Sequence, residues 1–308
     1  MKKPCLPPFR MPRPRFAAVI GRFQHSKTYA KRAGCGGLKS GCMRRILITV
    51  SYDGTDYHGW QVQPGLATIQ GVLEGVLSQV EGSEVHVDGS GRTDAGVHAL
   101  AQVGAFDLTN PIPLPNLKKA MNRLLPRDIR VTETAEAPKA FHPRYDATAK
   151  TYEYRILRAE ICPPFDRRFV YHYPYPLDEA RMAAAARLIE GQHDFSAFAA
   201  ADPADGLGRS KVRRIFSSCL TRQGDRLIYR VCGSGFLKHM VRNIVGVLLE
   251  AGKGNLAPAD IEARLQPGCT IPAGPSAPAR GLFLVGVEYG DTSRGSRRYT
   301  LPSNKRDE

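Results

Sequence analysis

Between residues 43 and 290 apolar positions recur in two rhythms, and the rhythms come in the same order twice. Ile46–Tyr52 alternates apolar and polar side chains at the period of two that a strand buried on one face requires. Thr68 then precedes Ile69, Val72, Leu73, Val76, Leu77 and Val80, a single stripe at helical spacing, and its hydroxyl suits an N-cap. Glu84–Asp88 reads as a strand running into Gly89-Ser90-Gly91. In the second half Thr151–Leu157 alternates, with Tyr152, Tyr154 and Ile156 on one face, and Asp178 caps an alanine-rich helix to Ile189. The strand Arg226–Cys232 then runs into Gly233-Ser234-Gly235. The recurrence predicts an α+β fold built on a duplicated strand–helix–strand unit. If a pseudo-two-fold relates the halves, the two Gly-Ser-Gly loops face one cleft, and the segment after the second loop meets Arg92 and Asp94.

That segment is FLKHMVRNIVGVLLEAG, residues 236–252. Val241, Ile244, Val245, Leu248 and Leu249 have helical spacing, and Met240 and Val247 make the helix apolar on nearly every side, so it is expected to be buried. Arg242 lies within this run. An unpaired buried charge costs several kcal/mol, so Arg242 requires a carboxylate, and the duplicated geometry offers Asp94.

The ends differ from this body. Residues 1–42 are rich in Pro, Gly and basic side chains and keep no period, which predicts a disordered basic extension. A start assigned too early is the competing explanation, since Met43 opens directly onto the first strand; the prolines tell against a transit peptide. Residues 291–308 also read as an unstructured tail. The net charge of +15 is concentrated at the start: residues 1–45 hold 12 of the 44 Lys and Arg and none of the 29 acidic residues, leaving +3 for the remainder. A nucleic-acid partner must therefore be argued from local clusters. No apolar run approaches the roughly 18 residues of a membrane span. Seven cysteines without a C-x-x-C pair suggest neither a disulfide framework nor structural zinc, and point to a reducing cytoplasm.

Asp94, in GSGRTDAGVHALAQV, is the leading candidate for chemistry. The bland alternative is a turn aspartate capping N–H groups before Gly96. Against it stand the adjacent Arg92 and the buried arginine in search of an acid; a carboxylate kept ionised beside a substrate is a nucleophile or a base. A metal site of His86, Asp88, Asp94 and His98 competes less well, because Arg92 would repel a divalent cation. Tyr152 is either a core aromatic or a platform for a nucleobase, and the flanking Arg144 and Lys150 favour nucleic acid. Arg209, Lys211, Arg213 and Arg214 form a basic loop leading into a strand, suited to phosphate contacts but unspecific.

GRTDAGVHALAQV resembles the signature of the TruA family of tRNA pseudouridine synthases. YDGTDYHGWQVQ (52–63), TIQGVLEGVLSQV (68–80), FHPRYDATAKTYEYRI (141–156), GQHDFSAF (191–198), FLKHMVRNIVG (236–246) and ARGLFLVGVEY (279–289) are similar to its other blocks, in order. The resemblance spans about Arg45 to Tyr289. It implies a pseudouridine synthase fold: an N-terminal catalytic subdomain, 43–145, and a C-terminal subdomain, 146–290, both ferredoxin-like, sharing a mostly antiparallel sheet. It further implies an isomerase that acts without cofactor or metal on uridines 38, 39 and 40 of the tRNA anticodon stem-loop, as a homodimer. Asp94 falls on the family's catalytic aspartate, Tyr152 on its active-site tyrosine, Arg242 on its pairing arginine, and Arg92 on the arginine implicated in displacing the target nucleotide. His58 departs from the pattern, which usually has Tyr or Phe there. Residues 1–42 have no counterpart in compact family members.

Overall fold

The computed structural model describes residues 43–201 and 210–290; the expected basic extension at 1–42, the tail at 291–308 and Arg209 lie outside the described residues. The chain runs β1 (Arg44–Tyr52), α1 (Ile69–Glu81), β2 (Asp88–Gly89), β3 (His98–Leu108), α2 (Leu114–Leu124), β4 (Ile129–Ala137), then β5 (Ala147–Leu157) and β6 (Tyr171–His172). It continues through α3 (Glu179–Leu188), β7 (Gly191–Asp194), β8 (Val212–Gln223), β9 (Arg226–Gly233), α4 (Met240–Lys253), α5 (Pro258–Arg264) and β10 (Leu282–Tyr289). The strands form one mixed sheet in an α+β fold, in the order β4-β1-β3-β10-β5-β9-β8-β7, with β2 added to β3 and β6 to β5.

Pairing is antiparallel except for β10 with β3 and β6 with β5. The last strand is inserted between the halves: Phe283 and Leu284 lie parallel to His98 and Ala99, while Leu282–Tyr289 run antiparallel to Tyr154–Ala147. One continuous sheet therefore carries both Gly-Ser-Gly loops, one leaving β2 and the other leaving β9.

Thr68 caps α1, its hydroxyl accepting from Gly71 N at 3.3 Å, and Asp178 caps α3 through Arg181 N at 2.9 Å. The strand expected at Glu84–Asp88 shortens to Asp88–Gly89, because only these two residues find ladder partners, Ala105 and Gly104. β1 does not alternate in burial. It is flanked by β3 and β4 and buried from Arg45 through Val50. The basic run at 208–215 is part strand, since β8 begins at Val212.

Helix α4 is buried as its composition requires, with Ile244, Val245 and Leu248 fully inside; burying such a side chain contributes roughly 1.5–3 kcal/mol. Its Gly246 admits a neighbouring segment: a Cβ there would lie 1.9 Å from the Pro275 carbonyl oxygen. That approach lets Ala277 N donate to Arg242 O at 3.1 Å, and Tyr154 fixes the same segment by donating to Pro278 O at 2.7 Å. Gly246→Ala should therefore force the 275–278 segment off the helix, costing about 1–3 kcal/mol. Thermal denaturation should show a Tm lower by roughly 3–10 °C; an unchanged Tm would refute the steric account.

Candidate active site

The loop between β2 and β3 is held from below by polar groups that have left water. Ser90 is fully buried; its N–H donates to Val103 O at 2.8 Å and its hydroxyl to Gln102 Oε1 at 2.6 Å. Gln102, also fully buried, returns its amide to Gly91 O at 2.8 Å. Thr93 shares a 2.9 Å hydrogen bond with the Tyr52 hydroxyl. From the side, Trp60 N donates to Thr93 O at 3.1 Å, and Gly59 O and Trp60 O accept from Ile69 N and Gln70 N at the start of α1. Gly59 is required at this junction, because its φ is +86° and a Cβ would lie 2.5 Å from Thr93 O. One short segment thus satisfies the orphan donors of a helix and clamps the loop that carries Asp94.

The Asp94 side chain caps nothing in its own turn; the turn closes through backbone, with Val97 N donating to Asp94 O at 3.1 Å. Instead the carboxylate faces α4, where Arg242 Nη1 lies 3.4 Å from Oδ2, across 148 residues of sequence. Both side chains are largely enclosed, 17% exposed for Arg242 and 23% for Asp94, so water screens the pair weakly. Arg242 is oriented by a second bond, Nε to Ala277 O at 2.7 Å. The arginine expected to need an acid has the expected acid. Arg92, two residues before Asp94, is exposed and forms no ion pair with it among the described residues. It borders a cavity of about 150 Å³ with Trp60, Gln61, His86, Arg144 and Tyr145.

Tyr152 lies in β5 between Leu284 of β10 and Val231 of β9, with its ring edge-on to Phe236 at 5.0 Å. It is only 7% exposed, and burial, reinforced by Tyr52 and the negative charge of Asp94, pushes its hydroxyl well above the usual tyrosine range. The phenol is therefore neutral, and it makes no hydrogen bond within the described residues. A buried ring with an unengaged hydroxyl, near an ionic carboxylate, suits contact with a flat polar ligand.

His239 was missed from sequence, although it stands three residues before Arg242. Its Nε2 lies 3.6 Å from Asp94 Oδ2. It is the N-cap of α4 and the one non-glycine residue with positive φ among the described residues, at 60°. Such a conformation costs of order 1–3 kcal/mol and concentrates at functional sites. No hydrophobic pattern signals it, because the strain lies in the backbone.

The four residues of the competing metal reading do not converge on one point. His86 approaches Asp88 at 3.8 Å, but it is exposed beside Glu74, 2.9 Å away, and Asp88 is bound to Arg45. His98 is a core residue: Nδ1 accepts from Gly54 N at 3.1 Å, and Nε2 faces the carbonyls of Arg168 and Arg280 at 2.9 and 3.2 Å. Its ring stacks on Phe283 at 4.7 Å. Burial pulls His98 below its ordinary pKa, outweighing the opposing pull of Asp53. Among the described residues no group of three potential ligands is placed to hold a metal.

The chain matches the family described as tRNA pseudouridine synthase over residues 48–146 and 185–290. It is 62% identical over 249 residues to a tRNA pseudouridine synthase A of Solibacter usitatus, covering 80% of this chain and all of that protein. Proteins of the same name from Caldicellulosiruptor bescii and Geotalea uraniireducens are 40% and 44% identical over 247 residues, again 80% of this chain and all of theirs.

The site geometry sets two expected outcomes. His239→Gly should melt at or above the parent temperature, because glycine adopts the left-handed region freely, whereas His239→Val should lose about 1–3 kcal/mol; equal melting of the two would refute backbone strain. A folded pKa below the unfolded value of about 6.5 means that the unfolded chain gains a proton first as pH falls. His98 therefore contributes stability that is full above about pH 6.5 and lost as pH drops through the folded pKa. Denaturant titrations should show stability falling with acidification in that window, with a shallower slope in His98→Gln.

Proposed function

The chain belongs to the tRNA pseudouridine synthase family, which isomerises uridine to pseudouridine in tRNA, and we propose that it does so in the anticodon stem-loop at positions 38, 39 and 40. The observation that carries the site assignment is the Asp94 carboxylate held by Arg242 from the other half of the sheet. The position assignment and a homodimeric state rest on the resemblance of the motif blocks. A cytoplasmic setting rests on cysteine usage.

The chemistry accounts for the residue types. The bond from uracil N1 to ribose C1′ breaks, the base turns within the site, and C5 bonds to C1′. The C5 proton leaves and N1 takes one up, so atoms and electrons balance with no redox partner. The base must first leave its stack, at a cost of a few kcal/mol. In this reading Arg92, exposed at the rim, occupies the vacated space. Tyr152, neutral and unengaged, packs against the uracil. Asp94 acts on the nucleoside as nucleophile or base, with Arg242 pairing its charge and Arg242 and His239 aiming it.

The test is release of tritium from tRNA labelled at uridine C5, with substrates carrying a single uridine at position 38, 39 or 40. The protein should release label from each. Asp94→Asn, which keeps the shape without the charge, should bind tRNA while losing activity by roughly a hundredfold or more. Full activity in that variant would overturn the assignment of Asp94; binding without release by the parent protein would indicate a non-catalytic RNA-binding protein.

A further inference from the structure

Lys150 occupies an unusual place for a lysine. It lies in β5 opposite Gly233, the first residue of the second Gly-Ser-Gly loop, and opposite Val287 of β10. Its ammonium crosses to the first loop, donating to Ser90 O at 2.5 Å, and a Cβ on Gly91 would lie 3.1 Å from Nζ. One side chain thus links the strand position beside the second Gly-Ser-Gly loop to the backbone of the first.

Among the described residues its surroundings hold no compensating charge. The charged groups that act on it are Arg144, from the loop before β5, and Arg213, from β8. The first loop presents only a carbonyl, β9 a glycine and β10 a valine. Arg213 flanks the second loop, with its Cδ and Nε 3.9 Å from where a Gly235 Cβ would be, and among the described residues it donates only to the backbone carbonyls of Ser210 and Val212. Arg144 lies over the exposed ring of Tyr145 at 6.0 Å. None of the three pairs with a carboxylate among the described residues. Burial, then repulsion from Arg144 and Arg213, brings the Lys150 ammonium down to about 8. Three cations gathered without an anion among the described residues, one of them partly buried, amount to a site that an incoming anion would complete.

We propose that Lys150, with Arg144 and Arg213, cradles one backbone phosphate of the bound tRNA at the bottom of the cleft between the two Gly-Ser-Gly loops. This rests on the tRNA reading above and deepens it. The cradle adjoins the Asp94 loop through Ser90 and Gly91, so the phosphate belongs to the nucleotide at or next to the target uridine. A phosphate held there fixes the register of the strand while the base itself is unstacked. Phosphate contacts position a nucleic acid without reading its sequence, which suits an enzyme acting at neighbouring positions.

Binding of fluorescently labelled tRNA, titrated against NaCl at pH 7, tests the proposal. Each phosphate contact contributes about 0.7–1 to the slope of log Kd against log salt. Lys150→Gln should lower the slope by that amount, and Lys150→Arg should restore it. On the parent protein, affinity should fall as pH rises through about 8, by up to about tenfold per pH unit, since binding must then take up a proton. Lys150→Arg, which keeps its charge, should flatten this decline. A folded Lys150→Gln protein with an unchanged slope overturns the proposal, as does a parent affinity that stays level between pH 7 and 9; the second measurement decides the matter if the variant does not fold. Pseudouridine formation with an unchanged slope overturns the phosphate site alone, whereas a parent protein that neither binds nor modifies tRNA overturns the tRNA reading and this site with it.

Discussion

The buried guanidinium of Arg242 constrains both halves of this molecule. A charge on a helix with ten buried residues cannot be left without an acid, and the acid it meets lies 148 residues earlier, on a loop of the other half. The parallel seam between β3 and β10 makes that meeting possible, because it brings both Gly-Ser-Gly loops onto one sheet. The pair that neutralises the helix is also the pair that presents a carboxylate in a cleft. In the proposed reading, stability and chemistry share one interaction.

The loop and the helix that carry the pair are each held by specific polar contacts. The Asp94 loop hangs on a buried Ser90–Gln102 bond and on backbone groups of Gly59 and Trp60, which also close the start of α1. Arg242 is turned by the carbonyl of Ala277, on a segment that reaches α4 only because Gly246 leaves room for Pro275. These contacts hold the acid, its cation and the neutral ring of Tyr152 in place, the preorganisation that the proposed chemistry would use. His239 is the exception, a strained residue at the helix start whose ring reaches the same carboxylate oxygen.

Charge is distributed unevenly around this centre. Asp94 is balanced by Arg242, with His239 beside it, whereas the cations of Lys150, Arg144 and Arg213 balance nothing within the described residues. A surplus of positive charge beside a neutral aromatic and a single carboxylate fits a substrate with phosphates at its edge and a planar base at its centre.

Periodicity alone determined much of this protein. It predicted the capped helices, the aromatic strand carrying Tyr152, the buried helix and the need of Arg242 for an acid, since these depend on side chains close in sequence and on the cost of burying charge. The family motifs pointed to Asp94, Tyr152, Arg92 and Arg242 together. Tertiary structure decided the rest. Pairing partners cut the strand at Glu84–Asp88 to two residues, and packing on both faces of the sheet buried β1 from Arg45 through Val50. Packing made His98 a core residue, because its neighbours Gly54, Arg168 and Arg280 come from three distant segments. The left-handed backbone of His239 had no sequence signal, since that dihedral angle is set only once distant segments are packed together. Arg144, Lys150 and Arg213 were legible as candidates for nucleic-acid contact, but their gathering with no carboxylate partner among the described residues was not, because it depends on which strands and loops meet.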